Sequence, residues 1–284
     1  DYKYKDITKK LLKEKVIFES EVNGLLIESI EYTEAKRLLD RFFKKNINVI
    51  NNKILEFEVP SIINKKTVSR TGYIDKFSDI LMEVIGMSPE RRKTEGWIVL
   101  DQFLSPTVCF RIFPVIKKLI KKQKEFNKDF YPICVTSKAQ CYRNERINKE
   151  LSLMRLNEFS MREYIFVGEQ EDINSLIENF NEIASSLLEK LKIDNFMIED
   201  ANDAFFIGAY RMNSKYQNLF KLKQEYVLEM DKGNLSFIST NYHKETLLKS
   251  FNILDIVKDN LKKPSSACIG IGLDRLMLIL LNFT

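Results

Sequence analysis

Two short segments, far apart in a chain of 284 residues, hold the side chains best suited to chemistry. Near the C-terminus, Ser266-Ala267-Cys268-Ile269-Gly270-Ile271-Gly272-Leu273-Asp274-Arg275-Leu276 sets a thiol, two glycines and an acid–arginine pair in one apolar element. Glycine lets a ligand or backbone come close because no Cβ intervenes, and arginine offers a planar fork of donors that matches phosphate. The segment reads either as part of a nucleotide site or as a crowded strand-to-helix join. In the second reading Gly270 and Gly272 relieve packing while Asp274 and Arg275 form a helix-end pair. The other segment is Cys141-Tyr142-Arg143-Asn144-Glu145-Arg146, followed after a polar stretch by Arg155-Leu156-Asn157-Glu158-Phe159-Ser160-Met161-Arg162-Glu163-Tyr164-Ile165. Arg143 and Glu145 are two apart and would share one face of a strand. On that face an arginine can hold phosphate and carboxylate together, and a glutamate can accept the exocyclic amine of adenine. A salt-bridged surface hairpin is the alternative.

The elements that must position these groups read as α+β. Residues 34–45 repeat apolar positions at helical spacing, and the stretch from Phe18 to Tyr32 alternates as strands do. The run from Ile54 to Ile63 is β-prone, with Pro60 at an edge or bend, and Lys65 to Val84 reads as helical with a break at Gly72. Strands are predicted around residues 97–100, 133–136, 164–167, 196–199, 225–228, 235–240 and 268–271. Helical patterns at 106–127, 170–192 and 244–257 fall between them. Hairpin-like spacing predicts a central antiparallel sheet flanked by helices. A small α+β N-terminal region, residues 1–55, would pack on a catalytic body spanning 56–284.

Composition excludes several classes. No stretch of about 20 apolar residues is available to span a bilayer, so no membrane partner is expected. The first residues carry no apolar secretory core, which makes the cytoplasm the default location. The net charge of +5 is the difference between 45 basic and 40 acidic side chains, a balance that argues weakly against tRNA. Lys117-Lys118-Leu119-Ile120-Lys121-Lys122 and Lys262-Lys263 read as solvated helix faces. Four cysteines, Cys109, Cys134, Cys141 and Cys268, stand at irregular spacing without a CxxC, which leaves metal ligation or simple burial.

Taken together, Arg143-x-Glu145 and Gly270-x-Gly272-x-Asp274-Arg275 resemble the second and third signature motifs of class II aminoacyl-tRNA synthetase catalytic domains. Pro60-Ser61-Ile62-Ile63, Thr71-Gly72-Tyr73 and Phe77 resemble the first-motif region, which in that superfamily builds a dimer interface. Within it the chain is most similar to the amino acid:carrier protein ligases, homologues of the atypical zinc-dependent seryl-tRNA synthetases. That resemblance is carried by Leu104-Ser105-Pro106-Thr107-Val108-Cys109-Phe110, Phe159-Ser160-Met161-Arg162-Glu163-Tyr164, Ala201-Asn202-Asp203-Ala204-Phe205-Phe206, Ser239-Thr240-Asn241-Tyr242-His243 and Ala267-Cys268, running over most of residues 58–277.

The resemblance implies ATP-dependent activation of a small amino acid, glycine or alanine, followed by transfer to the phosphopantetheine thiol of a carrier protein. It also implies a homodimer. Carried over by position, the zinc ligands fall on Cys109, Glu163 and Cys268. Two thiolates and a carboxylate leave a fourth position open for an exchangeable ligand, which in this family is the substrate's α-amino group. The ATP and Mg2+ side falls on Arg143, Glu145, Arg155 with Leu156, Lys223, Glu225 and Arg275, with Arg143 and Arg275 carrying the catalytic charge. Ser239, Thr240 and Asn241, with Glu163, would form the amino-acid pocket. Cys134 and Cys141 have no matching role and read as buried thiols. Adenylation needs no general base, because the attacking carboxylate is already ionised; alignment and charge stabilisation suffice. The single histidine, His243, reads as structural, its one concrete alternative being to help deprotonate the carrier thiol. The usual Asp-Pro-Phe-Phe is here Asp203-Ala204-Phe205-Phe206, and the stretch between Arg143 and Glu163 is a few residues longer than is typical. These departures bear on Arg155 and on amino-acid preference. The alternatives are an atypical seryl-tRNA synthetase-like core and a non-catalytic synthetase paralogue. The stretch before Pro60 is too short for the tRNA-binding domain of the first, and intact Arg143, Glu145 and Arg275 argue against the second.

Overall fold

The computed structural model describes residues 3–48, 53–87, 97–123, 130–145, 150–201 and 222–283. Asn202 to Phe206, with the departure at Ala204, and Arg146 lie outside them.

Twelve strands are described: β1 (Ile17–Glu19), β2 (Leu26–Glu28), β3 (Leu55–Glu56), β4 (Ile62–Asn64), β5 (Met82–Met87), β6 (Trp97–Leu104), β7 (Ile133–Tyr142), β8 (Glu158–Glu169), β9 (Phe196–Asp200), β10 (Lys223–Met230), β11 (Gly233–Lys244) and β12 (Pro264–Gly272). Seven of them form the central sheet in the order β3-β7-β8-β12-β11-β10-β9. It is antiparallel as expected except at one edge, where β3 pairs with β7 in parallel. Two-residue β3 is reached through connecting chain rather than a hairpin, which frees it to run in either direction.

Period-two alternation divides the strands between two cores. Tyr164 and Phe166 face one side with Ile269 and Ile271, and helices α2 (Ile30–Ile47), α6 (Gln170–Lys190) and α9 (Leu273–Leu280) cover that side. Ile165, Val167 and Cys268 face the other, covered by α5 (Cys109–Gln123) and by short helices α7 (Thr246–Ser250) and α8 (Leu254–Val257). The molecule is therefore three layers, helix on sheet on helix. Cys134 is buried in the first core and Cys141 in the second, as read. No described helix is long and apolar enough to cross a membrane.

The main departure lies between Lys65 and Val84. Helices α3 (Lys65–Arg70) and α4 (Tyr73–Phe77) form, separated at Gly72, whose φ of 72° is left-handed and free of strain for glycine. From Met82, however, the chain is strand β5, not helix. Its backbone partners come from β6 in a three-stranded antiparallel sheet, β4-β6-β5, and local periodicity carries no information about that distant strand. The strands as a whole are longer than their apolar cores, because edge pairing extends into polar residues such as Glu158 and Arg162.

Candidate active site

Strand register assembles the site. Glu163 of β8 lies opposite Gly270 of β12, Gly270 opposite Ser239 of β11, and Ser239 opposite Glu225 of β10. The next row on the same face runs Ile165, Cys268, Asn241 and Lys223. Two adjacent rows thus put four strands' worth of chemistry-bearing side chains on the floor of a cavity of about 250 Å3. A side chain at position 270 would narrow that floor: a Cβ there would stand 2.7 Å from Met161 Cε, which would have to swing aside, and 3.4 Å from Ser239 Oγ. Gly272 has more room, its nearest neighbour being the Phe237 carbonyl oxygen at 3.5 Å.

At one end of the cavity, Cys109, Glu163 and Cys268 are all buried, and their ligand atoms lie within 4.8 Å of one another. Glu163 stands at the start of α5: its two carboxylate oxygens accept the N–H groups of Val108 (3.0 Å) and Cys109 (2.9 Å). Donors left unpaired by the helix thereby fix the carboxylate, and with it Cys109, against β8. Burial raises the Glu163 carboxyl above its ordinary range, opposed in part by those N–H groups and by Arg111. A hydrogen bond with Cys268, burial and the Glu163 charge together push the Cys109 thiol well above normal. Two thiols and a carboxylate packed together without a cation among them form an arrangement that a divalent, thiophilic metal relieves, so the donor set fits zinc. His243, also buried, sets Nε2 3.4 Å from Cys268 Sγ, and Asn241 Nδ2 lies 3.8 Å from the same sulfur. Burial lowers the His243 pKa to about 3, only weakly countered by Glu163. So weak a base is a poor acceptor for a thiol proton, which favours the structural reading.

The other end is cationic. Arg143 donates from Nε to the Pro106 carbonyl (3.2 Å) and lies over the Phe159 ring with 5.1 Å to its centroid. Arg275 donates to the carbonyl oxygens of Met154 (3.2 Å) and Ser236 (2.6 Å). Burial and the nearby Arg143 charge lower its pKa. Two arginines anchored by neutral carbonyls keep their charge available for an anionic ligand. Arg155 Nε pairs with Glu145 Oε2 at 3.2 Å, and Lys223 Nζ with Glu225 Oε1 at 2.8 Å, all four lining the cavity beside Leu156.

The cavity therefore brings together every residue assigned to the metal, ATP or amino-acid site except Thr240. That residue lies opposite Ile269 and is buried on the far face of the sheet, because its neighbours Ser239 and Asn241 point the other way. Asp274 and Arg275 do not pair. Asp274 turns inward to accept from Lys36 Nζ (2.8 Å) and the Ser160 N–H (2.5 Å). Sequence reading missed Met161, which lines the cavity from β8 two residues before Glu163, and Lys36 and Asn157, which support the site from α2 and from the stretch before β8; none carries a local signature of its own.

Comparison with known proteins adds the following. Residues 101–283 match the tRNA synthetase class II core domain family (G, H, P, S and T). The chain is 24% identical over 251 residues to amino acid–acyl-carrier-protein ligase 2 of Bradyrhizobium diazoefficiens, covering 82% of this chain and 70% of that protein. It is 24% identical over 242 residues to ligase 1 of the same organism, covering 78% and 69%. In three dimensions it is similar to M. kandleri SerRS, solved in complex with A. aeolicus tRNASec, with a TM-score of 0.79 at 17% identity over 98% of this chain and 56% of that one. It is also similar to Giardia lamblia prolyl-tRNA synthetase in complex with prolyl-adenylate, with a TM-score of 0.73 at 15% identity over 98% and 52%. The chain spans little more than half of either structure, and at these identities the likeness concerns fold alone.

Proposed function

We propose, from the premise that this chain belongs to the class II tRNA synthetase core family, that it is an amino acid:carrier protein ligase. It would activate a small amino acid with ATP and pass it to a carrier thiol. The observation that carries the reading is the cavity's polarity: a buried Cys109–Glu163–Cys268 cluster of metal-ligand type at one end and the carbonyl-anchored pair Arg143 and Arg275 at the other.

In the first step an oxygen of the amino-acid carboxylate attacks the α-phosphorus of ATP, the bond to the bridging oxygen breaks, and pyrophosphate leaves. Arg143 and Arg275 face the charge spread over the phosphate oxygens, and Glu145 and Arg155 support binding of the nucleotide. Lys223 and Glu225 supply phosphate and Mg2+ contacts. In the second step the phosphopantetheine sulfur attacks the mixed-anhydride carbonyl and AMP departs. Cys109, Glu163 and Cys268 would hold zinc, which when bound takes the substrate's free amine as a ligand and so selects amino acids over plain carboxylic acids. Gly270, Ser239 and Asn241 floor the space left for the side chain, which supports glycine or alanine. The names of the two Bradyrhizobium relatives support the carrier protein as acceptor. The homodimer is supported by the exposed apolar side chains Ile62, Ile85, Met87, Trp97 and Val99 on the β4-β6-β5 sheet, the region of the first motif.

Amino-acid-dependent pyrophosphate exchange, measured over a panel of amino acids with and without zinc chelation, tests this directly. Exchange with one or two small amino acids, lost on chelation and restored by zinc, is expected. Zinc-replete protein that exchanges with none of them overturns the reading.

A further inference from the structure

The two helices and the β1–β2 hairpin before residue 48 do more than pack on the sheet: each holds a residue that neighbours or positions one of the ATP-side side chains. The turn between β1 and β2 reaches Asn157, whose backbone N–H donates to the Gly24 carbonyl (2.8 Å) and whose side-chain Nδ2 donates to the Asn23 carbonyl (2.9 Å). The same Asn157 accepts the Arg143 N–H at its carbonyl (2.9 Å) and the Glu145 N–H at Oδ1 (2.8 Å). Its main chain and its side chain thus each make one bond to the hairpin and one to the Arg143–Glu145 segment. Near α1 (Thr8–Lys13), Asp6 accepts from Ser152 Oγ (2.6 Å) and Thr8 Oγ1 accepts the Leu153 N–H (3.0 Å). That ties down the neighbouring Met154, whose carbonyl anchors Arg275. From α2, Lys36 holds Asp274, the residue beside Arg275.

We infer that the N-terminal region is a clamp that preorganises the nucleotide end of the cavity, with Asn157 as the positioning residue that relays the β1–β2 turn to Arg143 and Glu145. The physical case is that a loop arginine useful to a transition state must be held before the ligand arrives. Arg143 and Glu145 lie just past β7, where the sheet no longer holds their backbone. Asn157 replaces the missing ladder bonds, and its geometry depends on a turn about 130 residues earlier in the chain.

The inference rests on the reading that this end of the cavity binds ATP, so its test has one arm that does not. In ligand-free protein, Asn157→Ala removes Oδ1 and leaves the Glu145 N–H only the Arg143 carbonyl two residues back (2.9 Å), and hydrogen exchange at that amide should accelerate roughly tenfold while exchange in β8 and β12 is unchanged. In pyrophosphate exchange the same variant should raise KM for ATP by about tenfold and leave KM for the amino acid, and bound zinc, within about twofold. Asn157→Asp keeps an acceptor for Glu145 but has no donor for Asn23, and should fall between wild type and Asn157→Ala in both measurements. Unchanged Glu145 exchange in Asn157→Ala overturns the clamp whatever the chain binds. Asn157→Asp indistinguishable from wild type overturns the part of the side-chain contact with Asn23, leaving only the main-chain bond to Gly24. Equal rises in KM for ATP and for amino acid show general loosening rather than positioning, and also overturn it. Should wild type bind no ATP, the functional reading fails while the clamp is still decided by the Glu145 amide.

Discussion

Arg162 and Glu163 are consecutive on β8, both 3% exposed, and they face opposite layers. Arg162 meets a complete set of partners. Its Nε and NH2 bind the two oxygens of Asp40 at 2.6 and 2.7 Å, and its NH1 reaches Glu56 at 2.9 Å and Thr136 at 3.3 Å. Those partners outweigh burial and keep the guanidinium firmly charged. Glu163 accepts from two backbone N–H groups and sits against two thiols; the Arg111 charge and these hydrogen bonds only partly offset burial, and its carboxyl is raised. One buried charge is neutralised within the fold and the other is not. A closed network serves architecture; a buried acid whose cation must come from outside marks a ligand site.

Breaking the open side should abolish chemistry and spare the fold. Cys268→Ser is expected to lose zinc, measured by elemental analysis, and at least about 100-fold of pyrophosphate exchange, since even outer-shell partners of a metal cost 10- to 100-fold. Cys134→Ser, in the core on the other face, should lose neither. Breaking the closed side should do the reverse. Asp40→Asn strips Arg162 of its bidentate carboxylate, leaves it Glu56, and is expected to cost about 3 kcal/mol in urea unfolding, the low end of the range for a buried charge that loses a partner, with zinc stoichiometry in the folded protein unchanged. Equal zinc loss from both variants would erase the distinction. The smallest effect is expected at the rim of the closed network. Burial alone would raise the Glu56 carboxyl, but hydrogen bonds from Lys44 and Arg162 hold it below its ordinary 4.5. Its contribution is therefore present above pH 4.5 and lost as pH falls through the lower folded value. Glu56→Gln should flatten that acid limb of a melting-temperature profile; a profile identical to wild type would show that Glu56 is solvated rather than part of the network.

Much of the site was legible because its chemistry is dense. Cys109, Glu163 and Cys268 were implied by the family resemblance, as were the ATP-side roles of Arg143, Glu145 and Arg275, whose spacing by itself left a surface hairpin and a strand-to-helix join open. The exceptions have physical causes. Thr240 carries the right chemistry on the wrong face, which a one-residue alternation decides and only strand register reveals. The β5 segment passed for helix because its hydrogen-bond partner lies on β6, beyond any local window. Asn157 and Lys36 gave no signal, since each links a site residue to an element more than 100 positions away, Asn157 to Asn23 and Lys36 to Asp274.

By itself, then, the sequence determined which side chains were available and what they could do: composition sets charge and thiol count, and short spacings set which neighbours share a face. Only the tertiary structure decided which buried charges are closed and which are open. Arg162 and Glu163 differ not in burial or in neighbouring residues but in what the two layers bring to them, Asp40 and Glu56 from one side and Cys109 and Cys268 from the other. Coulomb and hydrogen-bond energies fall away within a few ångströms, so they depend on contacts that chain position does not encode.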